Sequence, residues 1–387
     1  KPFSPLIYKM TRFIVPKHSW ANQDIQKADF NYRPVGSGFF KFKEWNQETD
    51  EIRLVANKDY FEGRPYLDEV RIKTYLNNSQ LWSAVLRGEV DLVQYISEED
   101  YEIINNDHRF KGFAVPGDMY YALIFNVQDP IWRDRELRWA VAHAINRREI
   151  MEAISEFESE ECAGPFHSQS IGFDSKIQPI EYNPVKAKMI LMHQGWLNKM
   201  QDNKGGEVAV RRKDRKDLEL RLLVDARDKV YKKMAQIIRQ QLSEIGIKVK
   251  IVSYNNDEDF IHAQNEEPSP QAWLRFFSGL GTNPDAAVES WYSSSQVSDF
   301  GNYYNEEVDE LIQQGKIMAA SLKKQEIYQK IHRLIYNDQP ACFLFYPVWY
   351  FALRADFQGG AEYFSIFMPT HTMKNWYQSD QKQPFIP

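Results

Sequence analysis

The stretch from Asp217 to Ser253 constrains the fold more than any other part of the chain. Leu218, Leu220, Leu222 and Val224 alternate with other residues at the period of a strand. Val230, Met234, Ile237, Ile238, Leu242 and Ile245 then recur at helical spacing, and Gly246 can take the left-handed conformation that stops a helix. Ile247, Val249 and Ile251 alternate again. Strand, helix and strand in this order form a crossover unit, which places two strands in parallel and commits this region to an α/β fold.

The flanking sequence adds mixed elements. Gly36-Ser37-Gly38 is a turn that leads into the alternating Phe39 to Phe42, with Glu51 to Val55 as its hairpin partner. Ser79 is placed to cap a helix over 80–87 that Gly88 stops, and Glu89 to Val93 reads as a buried strand. Asp134 caps a helix whose Leu137, Ala140, Val141, Ala144 and Ile145 make one apolar stripe, and Asn146 with Glu149 starts a second. Asn183-Pro184 opens another helix, closed at Gly195. Two more helices are expected near 305–318 and 323–337, then an aromatic strand or pair of strands from Phe343 to Leu353. Asp134 and Arg138, four apart, read as a local ion pair. The run Arg211-Arg212-Lys213-Asp214-Arg215-Lys216 reads as a solvated loop.

A chain of 387 residues exceeds what one core supports, so two lobes are expected. The net charge of -6 gives no footprint for nucleic acid. There is no run of 18 apolar residues to cross a membrane and no signal peptide, and the opening Lys1-Pro2-Phe3 reads as a processed or truncated product. Cys162 and Cys342 permit a disulfide or two buried thiols and have no zinc-binding spacing. Ser321 to Lys324 fits an SxxK pattern without the partner motif of an acyl-serine hydrolase, and His18, His167 and His371 are isolated. No catalytic residue, metal or cofactor is expected.

Several segments, in order, resemble one family. RPVGSGFFKFKEW (33–45), the segment Asn57 to Val70, Leu86 to Asp91, the block LIFNVQDPIWRDRELRWAVAHAINRREI (123–150), Gly164-Pro165, Gly195-Trp196, the helix and strand over 235–251, and Asn305 to Ile312 are similar to the extracytoplasmic solute-binding proteins of the oligopeptide and dipeptide class, family 5. That resemblance implies an α/β, two-lobed periplasmic binding protein-like fold (type II, cluster C) with mixed sheets and without the family's opening portion. It implies a partial lobe I over 1–120, lobe II over 121–350, and a return segment over 351–387 that packs on lobe I with Trp376 as an anchor. It further implies an extracytoplasmic monomer, with a lipid anchor possible, that captures a small solute by hinge closure and delivers it to the permease subunits of an ABC importer.

The solute is expected to be an oligopeptide, with an oligosaccharide, a metal complex or a sensor role in a regulator as alternatives. Trp273 to Asp285 resembles the peptide binders' ligand segment. Leu280 stands where those proteins carry the acid that pairs with a peptide ammonium, so Asp285 or Glu289 replaces it or the solute offers no amine there. Candidate ligand residues are Tyr120, Tyr121, Trp273, Phe276, Phe277, Asp285 and Trp291. Tyr120 and Tyr121 are as readily core or hinge packing, Trp291 as readily core, and Asn126 a strand-edge residue.

Overall fold

The structure, a computed structural model, describes residues 16–17, 24, 27–117, 119–154, 159–168, 170–198, 209–265, 269–277, 284–293, 301–319, 321–359 and 372–379. These fall into two compact units, which the chain passes between at Val115–Pro116 and again at Val348–Trp349.

The smaller unit opens with β1 (Phe40–Asn46), β2 (Glu51–Ala56) and β3 (Glu69–Lys73), an antiparallel sheet in that order. The expected hairpin is its first pair. Helix α1 (Asn78–Leu86) follows, capped by Asn77, whose side chain accepts from the Gln80 N–H, and not by Ser79. Both residues are good caps; the extended backbone at Asn77 decides between them. Gly88, at φ +74°, ends the turn as expected. The strand read at Glu89 to Val93 begins later, as β4 (Leu92–Ile96), followed by α2 (Glu98–Asn105) and β5 (Phe110–Pro116).

The larger unit begins with β6 (Tyr120–Phe125), α3 (Arg135–Ala144), α4 (Arg147–Ile154), β7 (Glu160–Glu161), α5 (Pro184–His193) and β8 (Leu197–Asn198). It continues through β9 (Arg211–Lys213), β10 (Lys216–Asp217), β11 (Glu219–Asp225), α6 (Lys229–Glu244), β12 (Lys248–Tyr254) and α7 (Asp257–Asn265). It ends with β13 (Ala272–Phe277), α8 (Asp285–Tyr292), α9 (Glu306–Lys316), α10 (Leu322–Asp338) and β14 (Ala341–Tyr346). A six-stranded sheet runs β12-β11-β13-β6-β14-β7. β11 pairs in parallel with both β12 and β13, and the remaining pairs are antiparallel, so the sheet is mixed. The crossover unit read from Asp217 to Ser253 is β11-α6-β12.

Strand alternation divides the core between the two faces of this sheet. Leu123, Phe125, Leu220, Leu222 and Leu274 face α3 to α6, while Ala122, Ile124, Leu223 and Trp273 face the later helices. The aromatic run Phe343 to Leu353 is two strands. β14 ends at Pro347, and β15 (Val348–Arg354) joins a different sheet, between β4 and β5. Short strands β16 (Phe357–Gln358) and β17 (Tyr377–Gln378) pair with each other, and Trp376 packs with Leu353, Phe357 and Met373.

Three expectations are corrected here. Asp134 and Arg138 do not form a local ion pair: Asp134 accepts from the Glu136 N–H as the cap of α3, and Arg138 donates to the carbonyls of Trp132, Asp338 and Gln339. Those last two carbonyls end α10, some 200 residues away, which no local spacing announces. The basic run is a hairpin and not a plain loop: β9 and β10 turn at Asp214 and Arg215, both at positive φ. Its first residue, Arg211, is buried, with its guanidinium donating to the carbonyls of Ile245 and Trp196. Cys162 and Cys342 are both free and buried, and burial pushes the Cys162 thiol up to about 12.

Candidate functional site

Four of the candidate residues meet at one end of the six-stranded sheet. In the β13–β6 register Phe276 lies opposite Tyr121 and Phe277 opposite Tyr120. β11, β12, β13 and β14 all finish at this end, and both connections to the other unit leave from it. In open α/β sheets the carboxyl ends of the strands are where ligands are received.

Strand alternation sends these rings to opposite faces. Tyr120 and Phe277 are 1% and 2% exposed, stacked at 5.6 Å, and Tyr120 also packs against Phe343 and Tyr346. The Tyr120 hydroxyl meets that of Tyr292 at 2.9 Å, and burial holds its pKa above the usual phenol value. Tyr121 and Phe276, on the other face, are half-buried with ring centroids 4.6 Å apart. Phe345 lies 5.1 Å from Tyr121 and Tyr231 lies 5.7 Å from it. The first pair is therefore foundation, and the second keeps surface at the sheet end for a solute.

Asp285 is fully buried. Its carboxylate accepts from Lys324 Nζ at 2.7 Å and from the Tyr328 hydroxyl. Glu289, one turn along α8, pairs with Lys316. Both carboxylates proposed to stand in for the acid at the place of Leu280 are thus held by lysines from α9 and α10. Leu280 itself, with residues 278–283, lies outside the described residues. Trp273 is 3% exposed and belongs to the core between sheet and helices. Trp291 lies on α8, and its side chain is outside the described set. Asn126 sits past the opposite end of β6, where its side chain accepts from the Gln128 N–H and from Asn302, a structural role. His167 packs edge-on against Tyr346, while His18 and His371 fall outside the described residues. Ser321 is the cap of α10, accepting from the Lys324 N–H, so the SxxK pattern marks a helix start.

Sequence reasoning missed the charged groups at this sheet end. Asp225, at the last position of β11, accepts both N–H edges of Arg227 at 2.7–3.2 Å, which lowers its pKa below the usual carboxylate value. Arg275 stacks on Phe260, with Cζ 3.8 Å from the ring centroid. The alternation of β13 (Trp273, Arg275, Phe277 on one face) is the signal that could have set Arg275 apart, as the one charge among buried rings. Among the described residues no cluster of three or more metal-ligating side chains occurs, and no helix is long and apolar enough to cross a membrane.

Residues 1–299 match the family described as "Bacterial extracellular solute-binding proteins, family 5 Middle". The oligopeptide-binding protein AppA of Bacillus subtilis (strain 168) is 30% identical over 361 residues, covering 89% of this chain and 63% of that protein. The heme-binding protein A of Haemophilus influenzae is 24% identical over 311 residues, 80% of this chain and 54% of that protein. The chain thus spans less than two thirds of the length of either relative. Among solved structures, AppA from Bacillus subtilis in complex with a nonapeptide superposes with a TM-score of 0.73 at 27% identity, over 98% of this chain and 75% of that one. The ordered segments noted in the sequence and the mixed α/β fold lead to the same assignment. The chain belongs to the bacterial extracellular solute-binding proteins of family 5.

Proposed function

We propose that this chain is most of the solute-binding subunit of an ABC importer. It captures a small solute, in the first place an oligopeptide, by closure of two lobes formed by its two compact units. It hands the solute on, unaltered, to membrane permease subunits on the extracytoplasmic side. The observation that carries this reading is the convergence of Tyr121 and Phe276, backed by the Tyr120–Phe277 stack, at the carboxyl end of the sheet in a member of family 5. Aromatic rings on a fixed base bind peptide side chains and backbone with little ordering cost. The 30% identical relative is named for oligopeptide binding, and its solved complex holds a nonapeptide.

Native mass spectrometry of the full-length protein purified from its host tests the reading. Peptide masses released on unfolding are expected. Oligosaccharide or porphyrin masses in their place, or stoichiometric turnover of a bound peptide, would sink it.

A further inference from the structure

At the carboxyl end of the sheet, acids and bases are engaged very differently. Asp225 accepts from Arg227 through both oxygens, and on α8 Asp285 is held by Lys324 and Glu289 by Lys316. The remaining acid nearby, Asp228, turns an oxygen onto the Val230 N–H at 2.7 Å and caps its own helix, α6.

Arg275 is held by stacking. It lies opposite Ala122, whose methyl group leaves space beside it, and its guanidinium covers the Phe260 ring at 3.8 Å. The β11–β13 register, Leu223 opposite Trp273, carried two residues on, sets Arg275 level with Asp225. The Arg275 charge helps hold the Asp225 carboxyl down, while the oxygens of that carboxylate are taken by Arg227. Two guanidinium groups and one carboxylate therefore meet at the ends of two parallel strands.

A guanidinium stacked flat on a ring leaves its N–H edges directed outward, in the fork that matches a carboxylate. Because stacking already fixes its rotamer, little side-chain freedom is lost when an anion docks. Half-burial strengthens the pairing by removing part of the competing water.

We infer that Arg275 is an anion-recognising residue, and that the solutes of this protein present a carboxylate to it. The inference rests on the proposed binding function and reverses the polarity that the sequence suggested. The sequence reading sought an acid for a solute's ammonium, whereas the acids that might serve are paired within the protein.

The test uses the full-length protein and two probes: a random tetrapeptide mixture with free C-terminal carboxylates, and the same mixture C-terminally amidated. Binding is followed by calorimetry. The wild type is expected to bind the free-acid mixture at least about tenfold more tightly. Arg275→Met, which keeps an apolar stem on Phe260, should bind both mixtures alike. Arg275→Lys, which keeps the charge without the fork, should retain only part of the preference, and it carries the test if the Met variant does not fold. Equal binding of the two mixtures by the wild type, or an undiminished acid preference in both variants, overturns the role of Arg275 and leaves the binding function standing. A wild type that takes up neither mixture overturns both.

Discussion

Replacing Arg138 by Met separates the observed role of this arginine from the one its spacing suggests. Arg138 is 5% exposed and donates to Trp132 O at 2.6 Å, Asp338 O at 2.6 Å and Gln339 O at 2.7 Å. The last two carbonyls close α10, whose cap residue Gln339 has φ 45° and cannot continue the helix. Burial lowers the guanidinium pKa to about 10, so it remains charged at neutral pH. Methionine keeps most of the stem and removes every donor. Three charge-assisted bonds at about 1.5 kcal/mol each, less some rehydration of the carbonyls, make an expected loss of roughly 3–5 kcal/mol. Asp134→Ala removes only a helix cap, worth about 1 kcal/mol. The two losses should add to within about 0.5 kcal/mol, because the residues share no hydrogen bond. Urea unfolding followed by tryptophan fluorescence gives all four corners of this cycle from midpoints and slopes. A coupling above about 1.5 kcal/mol, or an Arg138→Met cost under about 1 kcal/mol, would refute the carbonyl-clip account.

Two further outcomes are expected. His332, fully buried on α10, accepts the Asp174 N–H at Nδ1 and is therefore neutral in the fold; burial lowers its pKa to about 4. Since the unfolded chain protonates near 6.5, this contribution is complete above about pH 6.5 and is lost as pH falls toward 4, by about 3 kcal/mol. Urea midpoints should drop between pH 7.5 and pH 4.5 in the wild type and much less in His332→Asn; an identical drop in both would exclude the histidine as the cause. The aromatic pairs should also divide by role. Phe277→Ala empties the stack on Tyr120 and should cost about 3–5 kcal/mol of stability. Phe276→Ala should lower solute affinity by more than about fivefold at little cost in stability, and unchanged affinity in calorimetry would remove this sheet end from the site.

Local pattern carries far in this chain. The alternation of Leu218 to Val224, the stripe from Val230 to Ile245 and the stop at Gly246 are short-range physics, and they yield β11-α6-β12 without any knowledge of neighbours. Caps at Asp134, Asn146 and Asn183 are legible for the same reason, because each bond spans two or three residues. The rings gathered at the sheet end were also legible, but only as a set. Which of them are buried and which half-exposed follows from strand register, and register is decided by pairing partners about 150 residues apart. Charge was the least legible property. Asp285 looked available for a solute's ammonium until Lys324 and Tyr328, 39 and 43 residues later, closed on it. Arg138 and Arg211 looked like surface charges until distant carbonyls took them inward. Sequence alone determined the order of elements and the family, because those depend on neighbours along the chain. The tertiary structure decided which charges are neutralised and which, like Arg275, stay at the sheet end, because a charge is assigned only by what the fold brings within reach of it.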